Sequence, residues 1–186
     1  MIGKADKENM VGTNIYLRGE KVLIRSFTQN DIKDSYIAWL NDPSVVRFSN
    51  QRFEKHDHEK CNRYFDSFSG TENFFTSIRL LSNDQPIGTM TGYVSPYHRT
   101  VDVGILIGDK SIWGRGYGQD AWDTMITWLL QRKDIRKLTA GTSAGNQGMI
   151  KLMNRSGMGL ECRRKEQEIV NGTPTDILYF AKFQKA

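Results

Sequence analysis

Val103 to Ala121 reads VGILIGDKSIWGRGYGQDA: an apolar segment, a turn with three spaced glycines, and the opening of an amphipathic helix. Gly114, Gly116 and Gly118 alternate with Arg115 and Tyr117, which leaves one side of the backbone nearly free of bulky side chains. Bare N–H groups at a helix N-terminus, where the macrodipole is positive, form an anion site suited to a pyrophosphate. A phosphate-bearing ligand is the first functional expectation.

Working outward, Val101, Val103, Ile105 and Ile107 alternate and predict a strand, and Trp122, Met125, Ile126 and Leu129 recur at the helical period. Before this unit, Ile15 to Ser26 holds one strand, clearest at KVLIRSF, Lys21 to Phe27. Thr28 reads as an N-cap, with Asp31 three residues on, for a helix carrying Ile32, Tyr36, Trp39 and Leu40 and stopped by Asn41-Asp42-Pro43. A second helix from about Asp57 to Phe68 carries Cys61, Tyr64, Phe65 and Phe68 as an apolar stripe, read as core. Strands follow at Asn73 to Leu81 and Ile87 to Val94. After the central helix come a strand at Lys137 to Thr142 and a helix capped by Asn146 and closed by Gly157. Two last strands, Leu160 to Val170 and Thr175 to Phe183, are joined by Asn171-Gly172, a strong hairpin signal. The order β-α-α-β-β-β-α-β-α-β-β predicts an α/β class with a mixed sheet, a βαβ unit in its middle, and the glycine turn at the first β-to-α junction.

With 186 residues, four Trp, nine Phe and seven Tyr, the chain is long and apolar enough to bury a core. We read residues 1–13 as a flexible polar tail and 14–186 as a single domain. The net charge of +5 suits anionic ligands. It comes without a basic run or a zinc or RNA signature, so nucleic acid is set aside as the primary partner. No segment approaches the length of a membrane span and no hydrophobic leader opens the chain, so a cytoplasmic protein is expected. Cys61 and Cys162 lack metal or redox spacing and read as reduced structural thiols. His56 and His58 read as residues of an exposed first helical turn rather than metal ligands, and no metal is expected. A homodimer stays open.

On its own, the glycine turn fits neither common nucleotide motif. The dinucleotide fingerprint needs G-x-G-x-x-G early in a parallel βαβ unit, and the Walker loop needs a Gly-Lys-Ser/Thr that is missing. With its flanks, the segment resembles motif A of the GNAT superfamily of acetyl-CoA-dependent N-acetyltransferases. That motif runs Gln or Arg, two free positions, Gly, one free position, then Gly or Ala. Gly116 and Gly118 fill the small positions, and Trp113 stands where Gln or Arg is usual. IWGRGYGQDA and the later segment from Asn146 through Arg155 and Gly157 resemble the branch of ribosomal-protein N-terminal acetyltransferases, the RimJ/RimL type. With the opening strand and helix and the closing hairpin carrying Asp176, the likeness covers about residues 13 to 184.

The resemblance implies acetyl-CoA as co-substrate, wedged between two diverging parallel strands, Val101 to Ile107 and Lys137 to Thr142. It implies that backbone groups of Leu106 and Ile107 pair with the pantetheine as a short extra strand. The amides of Trp113, Gly114, Arg115, Gly116, Tyr117 and Gly118 would cradle the pyrophosphate. Arg115 and Arg155 would add charge there, the alternative for each being a solvated arginine. Asn146 would bond the cofactor near the pantetheine, cap its helix, or do both.

Direct acetyl transfer needs a neutral amine set against the thioester, a donor for the developing oxyanion and a proton for the leaving thiolate. A backbone N–H near Leu106 or Ile107 is the expected oxyanion donor. Many GNAT enzymes place a Tyr seven residues after the Asn as general acid, and the branch often has a Ser three residues after it. These positions are Met153 and Met149 here, so neither donor is present. Asp102 occupies an acidic position common in the branch's central strand and is the candidate base, against the plainer reading of a solvent-facing strand carboxylate. Tyr97 and His98 are alternatives. The acceptor site is expected among the first two helices, the Ser95 to Thr100 loop and the final hairpin. The branch suggests the α-amine of a protein N-terminus. Trp39-Leu-Asn-Asp-Pro43 resembles the opening of acetyltransferases acting on nucleotide-linked amino sugars. A CoA-binding sensor that has lost catalysis is the reading from a different class.

Overall fold

The computed structural model describes residues 14–184, so the expected tail at 1–13 lies outside the described residues. Eight strands form one sheet: β1 (Tyr16–Arg18), β2 (Val22–Ser26), β3 (Phe74–Leu80), β4 (Pro86–Ser95), β5 (Thr100–Ile107), β6 (Lys137–Ser143), β7 (Gly159–Val170) and β8 (Thr173–Phe183). Their spatial order is β1-β2-β3-β4-β5-β6-β8-β7. Every neighbouring pair is antiparallel except β5 and β6. The helices are α1 (Asp34–Asn41), α2 (His58–Asp66), α3 (Tyr117–Gln131) and α4 (Gln147–Arg155).

The helices divide between the two faces of the sheet because the strands carry two apolar sets. On one face Val22, Ile24, Ile78, Met90, Val101, Val103 and Leu138 meet Trp122, Met125, Ile126 and Leu129 of α3 and Met153 of α4. Each large side chain fully buried there contributes ~1.5–3 kcal/mol. On the other face Phe27, Ile32, Tyr36, Leu40, Cys61 and Phe75 form a second, aromatic cluster under α1 and α2. Strand β5 serves both. Val101, Val103, Ile105 and Ile107 pack with α3, whereas Leu106 packs against the aromatic cluster.

The first expected strand is in fact a hairpin, with Tyr16 opposite Arg25 and a turn through residues 19–21. The local sequence Arg-Gly-Glu-Lys lacks an Asn-Gly or Asp-Gly signal. What fixes the turn is remote: the Asp120 carboxylate on α3 accepts the backbone N–H groups of Glu20, Lys21 and Val22 at 3.0, 2.8 and 3.0 Å. Thr28 and Asp31 do form a capping box, but it closes a single 3-10 turn, and α1 starts three residues later. Asp31 is held there by Arg25 (2.7 Å) and Arg79 (3.0 Å). The Asn171-Gly172 turn is as read: both residues have positive φ, 50° and 76°, and Val170 faces Thr173.

Two smaller expectations change. Cys61 is buried, but Cys162 lies exposed on β7, and both thiols are unpaired. His56 is buried just ahead of the Asp57 N-cap, with a ring nitrogen 3.2 Å from the Gln51 carbonyl, while exposed His58 faces Asp34 at 3.0 Å. Among the described residues no cluster of His, Cys, Asp or Glu has the grouping of a metal site, and no helix is long and apolar enough to cross a membrane.

Candidate functional site

The site begins where the two parallel strands separate. Thr100, Val101 and Asp102 pair with Lys137, Leu138 and Thr139, and then the pairing stops. Beyond it β6 stays paired with β8 through Ser143, while β5 stays with β4 through Ile107. A gap therefore opens in the middle of the sheet toward the carboxyl ends of both strands, where ligands bind in such sheets.

The strand period decides which backbone groups face the gap. Gly108 N–H donates to the Ile87 carbonyl on β4 at 2.9 Å. In an antiparallel pair hydrogen-bonded positions alternate, so Leu106, opposite Thr89, also spends its backbone groups on β4. The expected pairing of Leu106 with the ligand is therefore corrected: the groups turned to the gap belong to Val103, Ile105 and Ile107. The Leu106 side chain points to the α1–α2 face instead. The Ile107 carbonyl already accepts a hydrogen bond from Trp113 Nε1 at 3.0 Å. Just beyond, Gly108 is obligatory, since a Cβ there would lie 2.0 Å from the Trp39 ring of α1.

From the gap the chain enters the glycine turn. Gly114 and Gly116 have φ of 75° and 86°, a region costly for other residues, and Gly116 is the N-cap of α3. A Cβ on Gly114 would meet nothing within 4 Å, and one on Gly118 would touch Ile107 at 3.4 Å. The start of α3 is thus seated against the end of β5, with its N-terminal turn bare. This turn lines a cavity of about 360 Å³ with Ile107, Trp113, Gly148, Lys151 and Arg155. Arg115 is exposed beside it. The far wall is α4, tied to α3 by Gln119 Nε2, which donates to Asp123 (3.0 Å) and Ser156 (2.8 Å), and by Ser156 Oγ, which donates to Asp123 (2.5 Å).

Sequence reading missed two cations here, Lys21 and Lys151. Lys21 Nζ, delivered by the β1–β2 turn, donates to the Arg115 carbonyl at 3.1 Å and lies 3.3 Å from where a Gly116 Cβ would stand. Lys21 is 95 positions from Gly116 and carries no motif; only the Asp120 anchor brings it over the turn. Asn146 is an N-cap: its Oδ1 accepts from Met149 N–H at 3.2 Å, and its Nδ2 donates to Thr142 at 3.1 Å. One amide hydrogen is left for a ligand.

On the opposite face, Tyr36, Leu40, Gln51, Tyr64, Thr91 and Gly104 line a cavity of about 170 Å³ that also reaches Ile105 and Leu106. It abuts the gap from the α1–α2 side. Tyr36 is only 5% exposed, and its hydroxyl has no hydrogen-bond partner among the described residues. Burial holds its phenol well above the usual range, helped by nearby Cys61 and Tyr93, so the hydroxyl stays protonated. Tyr64 Oη lies 3.0 Å from Tyr93 Oη, and burial, then that hydrogen bond, push the Tyr64 phenol up as well. The stripe on α2 is core, as read, but Tyr64 also lines the cavity.

Asp102 sits at the closed end of the gap, opposite Tyr93 across the β4–β5 pair. Its carboxylate reaches solvent, yet burial raises its pKa, and the Thr139 hydroxyl, which donates to it at 2.7 Å, opposes that shift. Tyr97 is 96% exposed, and neither it nor His98 lines these cavities.

The model of the acetyltransferase (GNAT) domain family matches residues 21–159. The chain belongs to the GNAT acetyltransferase family. An uncharacterized protein of Methanocaldococcus jannaschii is 26% identical over 164 residues, which cover 84% of this chain and 33% of that protein. The chain spans about a third of that relative's length. A GNAT-family acetyltransferase of Bacillus anthracis superposes with a TM-score of 0.78 at 17% identity, over 91% of this GNAT chain and 99% of the other. The RimL ribosomal-protein alpha-N-acetyltransferase in complex with coenzyme A gives 0.78 at 15% identity, over 91% and 98%. The spermidine N-acetyltransferase of Vibrio cholerae, in complex with CoA and spermine, gives 0.77 at 14%, over 88% and 95%. At these identities the likeness is one of fold, and with it the mixed α/β architecture expected from the sequence is shown.

Proposed function

We propose that this chain transfers an acetyl group from acetyl-CoA to a primary amine by direct attack, in the cytoplasm. The observation that carries the reading is the bare, left-handed glycine turn opening from a gap between two parallel strands, with unpaired backbone along one edge. The residues fit the co-substrate. Positive-φ glycines leave room for phosphate oxygens at a helix N-terminus, and Lys21, Arg115, Lys151 and Arg155 supply charge around them. The backbone of Ile105 and Ile107 faces the gap as a strand edge does, ready for an extended amide-bearing chain.

Bound acetyl-CoA supplies an activated thioester: the amine nitrogen forms the C–N bond, the C–S bond breaks, and the thiolate leaves with a proton. The protein's part is placement and proton handling. The Ile105 N–H, turned to the gap, is the donor for the developing oxyanion. The Tyr36 hydroxyl, protonated and without a partner, is the proton donor that Met153 cannot be. Asp102 takes a proton from the incoming ammonium, directly or through water, and burial, by raising its pKa, makes it a stronger base than an ordinary carboxylate.

The acceptor enters from the α1–α2 face. The RimL likeness supports a protein N-terminal α-amine. A nucleotide-linked amino sugar is the second reading, favoured because Leu40, Asn41 and Pro43, from the segment that resembles acetyltransferases of such sugars, line the outer cavity of that face. The test is a mass-spectrometric screen of peptide N-termini, nucleotide-linked amino sugars and polyamines with acetyl-CoA. Acetylation of one class is expected; tight CoA binding with no turnover on any amine would leave the sensor reading instead.

A further inference from the structure

We infer that the cavity beneath the β7–β8 hairpin tip is an anion subsite for the acceptor, and that the acceptor is a small primary amine carrying a phosphate or diphosphate group. This rests on the acetyltransferase reading above. The cavity, about 530 Å³, lies among the end of α1, the loop before α2 and residues 169–172. It shares the lining residue Leu40 with the inner cavity, so the two spaces are neighbours on the α1–α2 face.

Its charges do not balance. Arg52 is committed: it donates to the carbonyls of Ser49 (2.7 Å) and Ile169 (3.0 Å) and lies 3.6 Å from Glu168. Glu54 is paired with Lys60. Arg47 and Lys55, both exposed on the lining, have no carboxylate partner among the described residues. Two uncompensated cations therefore face the cavity, and nearby Arg52 adds to the positive field. An ammonium-rich ligand is repelled there, and the inner lining contains no carboxylate to receive a second ammonium. Polyamines thus fit neither cavity.

A phosphate fits the outer one, since guanidinium and ammonium groups are its strongest side-chain partners. Beside the cations stands Phe53, 67% exposed, with the Arg52 guanidinium 4.2 Å from its ring centroid. A large aromatic ring left in solvent next to unpaired cations offers stacking and charge together, which matches a flat base linked to phosphate better than a flexible acidic peptide. The volume falls in the range of small-molecule sites.

The test uses the full chain, acetyl-CoA and four acceptors: a nucleoside-diphosphate-linked amino sugar, a neutral peptide, a peptide with Asp and Glu behind its first residue, and spermidine. The phosphate-linked amine is expected to show the highest kcat/KM. Replacing both exposed cations, Arg47→Ala with Lys55→Ala, should raise its KM about tenfold or more and leave the KM for acetyl-CoA unchanged. A preference for either peptide or for spermidine would overturn the inference, as would an unchanged acceptor KM in the double variant. Absence of acetyl-CoA binding in calorimetry would overturn the acetyltransferase reading itself, and the subsite with it. Binding of acetyl-CoA with the wrong acceptor preference overturns the subsite alone.

Discussion

At the scale of the residue, the proposed division of proton handling between Asp102 and Tyr36 makes two distinct predictions. Because burial raises the Asp102 pKa, activity should climb with pH through a limb above the ordinary carboxylate range. Asp102→Asn is expected to lower kcat about a hundredfold and abolish that limb, with acetyl-CoA affinity unchanged, as a pH–rate series reads directly. The stability effect has the opposite sign. A carboxyl whose folded pKa is raised favours the protonated native state, and that contribution is lost as pH rises through the folded value. The Asn variant should therefore gain in Tm relative to the parent as pH increases. Tyr36→Phe should lower kcat about tenfold or more without weakening acetyl-CoA binding, and an unchanged kcat would remove this hydroxyl from the reaction. Gly116 is a backbone requirement: Gly116→Val forces a β-branched residue to φ near 86° and crowds Lys21, so CoA binding measured by calorimetry should be lost. The glycine turn was legible in the sequence because it stands inside one continuous stretch, Val103 to Ala121, whereas Asp102 was named only through the family resemblance. Tyr36 was legible only as an apolar position of α1, since helical period reports burial and not what the hydroxyl faces.

At the scale of the element, the β1–β2 turn acts as an accessory to the glycine turn although the two are remote in sequence. Asp120 accepts three consecutive N–H groups of that turn, so Asp120→Ala should cost about 1–3 kcal/mol in chemical denaturation. Lys21→Met, which keeps the length and removes the charge, should raise the acetyl-CoA dissociation constant about tenfold, and Lys21→Arg should restore most of it. Equal affinities in all three proteins would mean the lysine only caps the Arg115 carbonyl. Strand and helix periods predicted nearly every element, with ends within a few residues. They failed at residues 19–21 because a turn without Asn-Gly chemistry is written in its tertiary partner. The capping box at Thr28 and Asp31 misled in the same way: the local bonds are real, but Arg25 and Arg79 draw Asp31 into the sheet and delay α1.

For the whole molecule, the gap between β5 and β6 is the feature on which the proposed function turns, and it was legible only through family resemblance. No local pattern says that two parallel strands pair for three residues and then part. In hydrogen exchange the amides of Ile105 and Ile107, which face the gap, should exchange much faster than that of Val101, which lies within the paired segment. Saturating CoA should slow them selectively, and a ligand at a hundred times its dissociation constant stabilises the fold by about 2.7 kcal/mol. Strand β5 also limits how such an enzyme changes over time. Its odd-numbered side chains build the core under α3, its even-numbered ones face the acceptor side, and its odd-numbered backbone groups edge the gap. One inserted or deleted residue within Val103–Ile107 would exchange all three assignments at once. The β7–β8 tip, a two-residue turn on the rim of the outer cavity, carries no such threefold frame. On the proposed acceptor subsite, a change in that tip or in the loop before α2 alters acceptor preference while the length of β5 stays fixed.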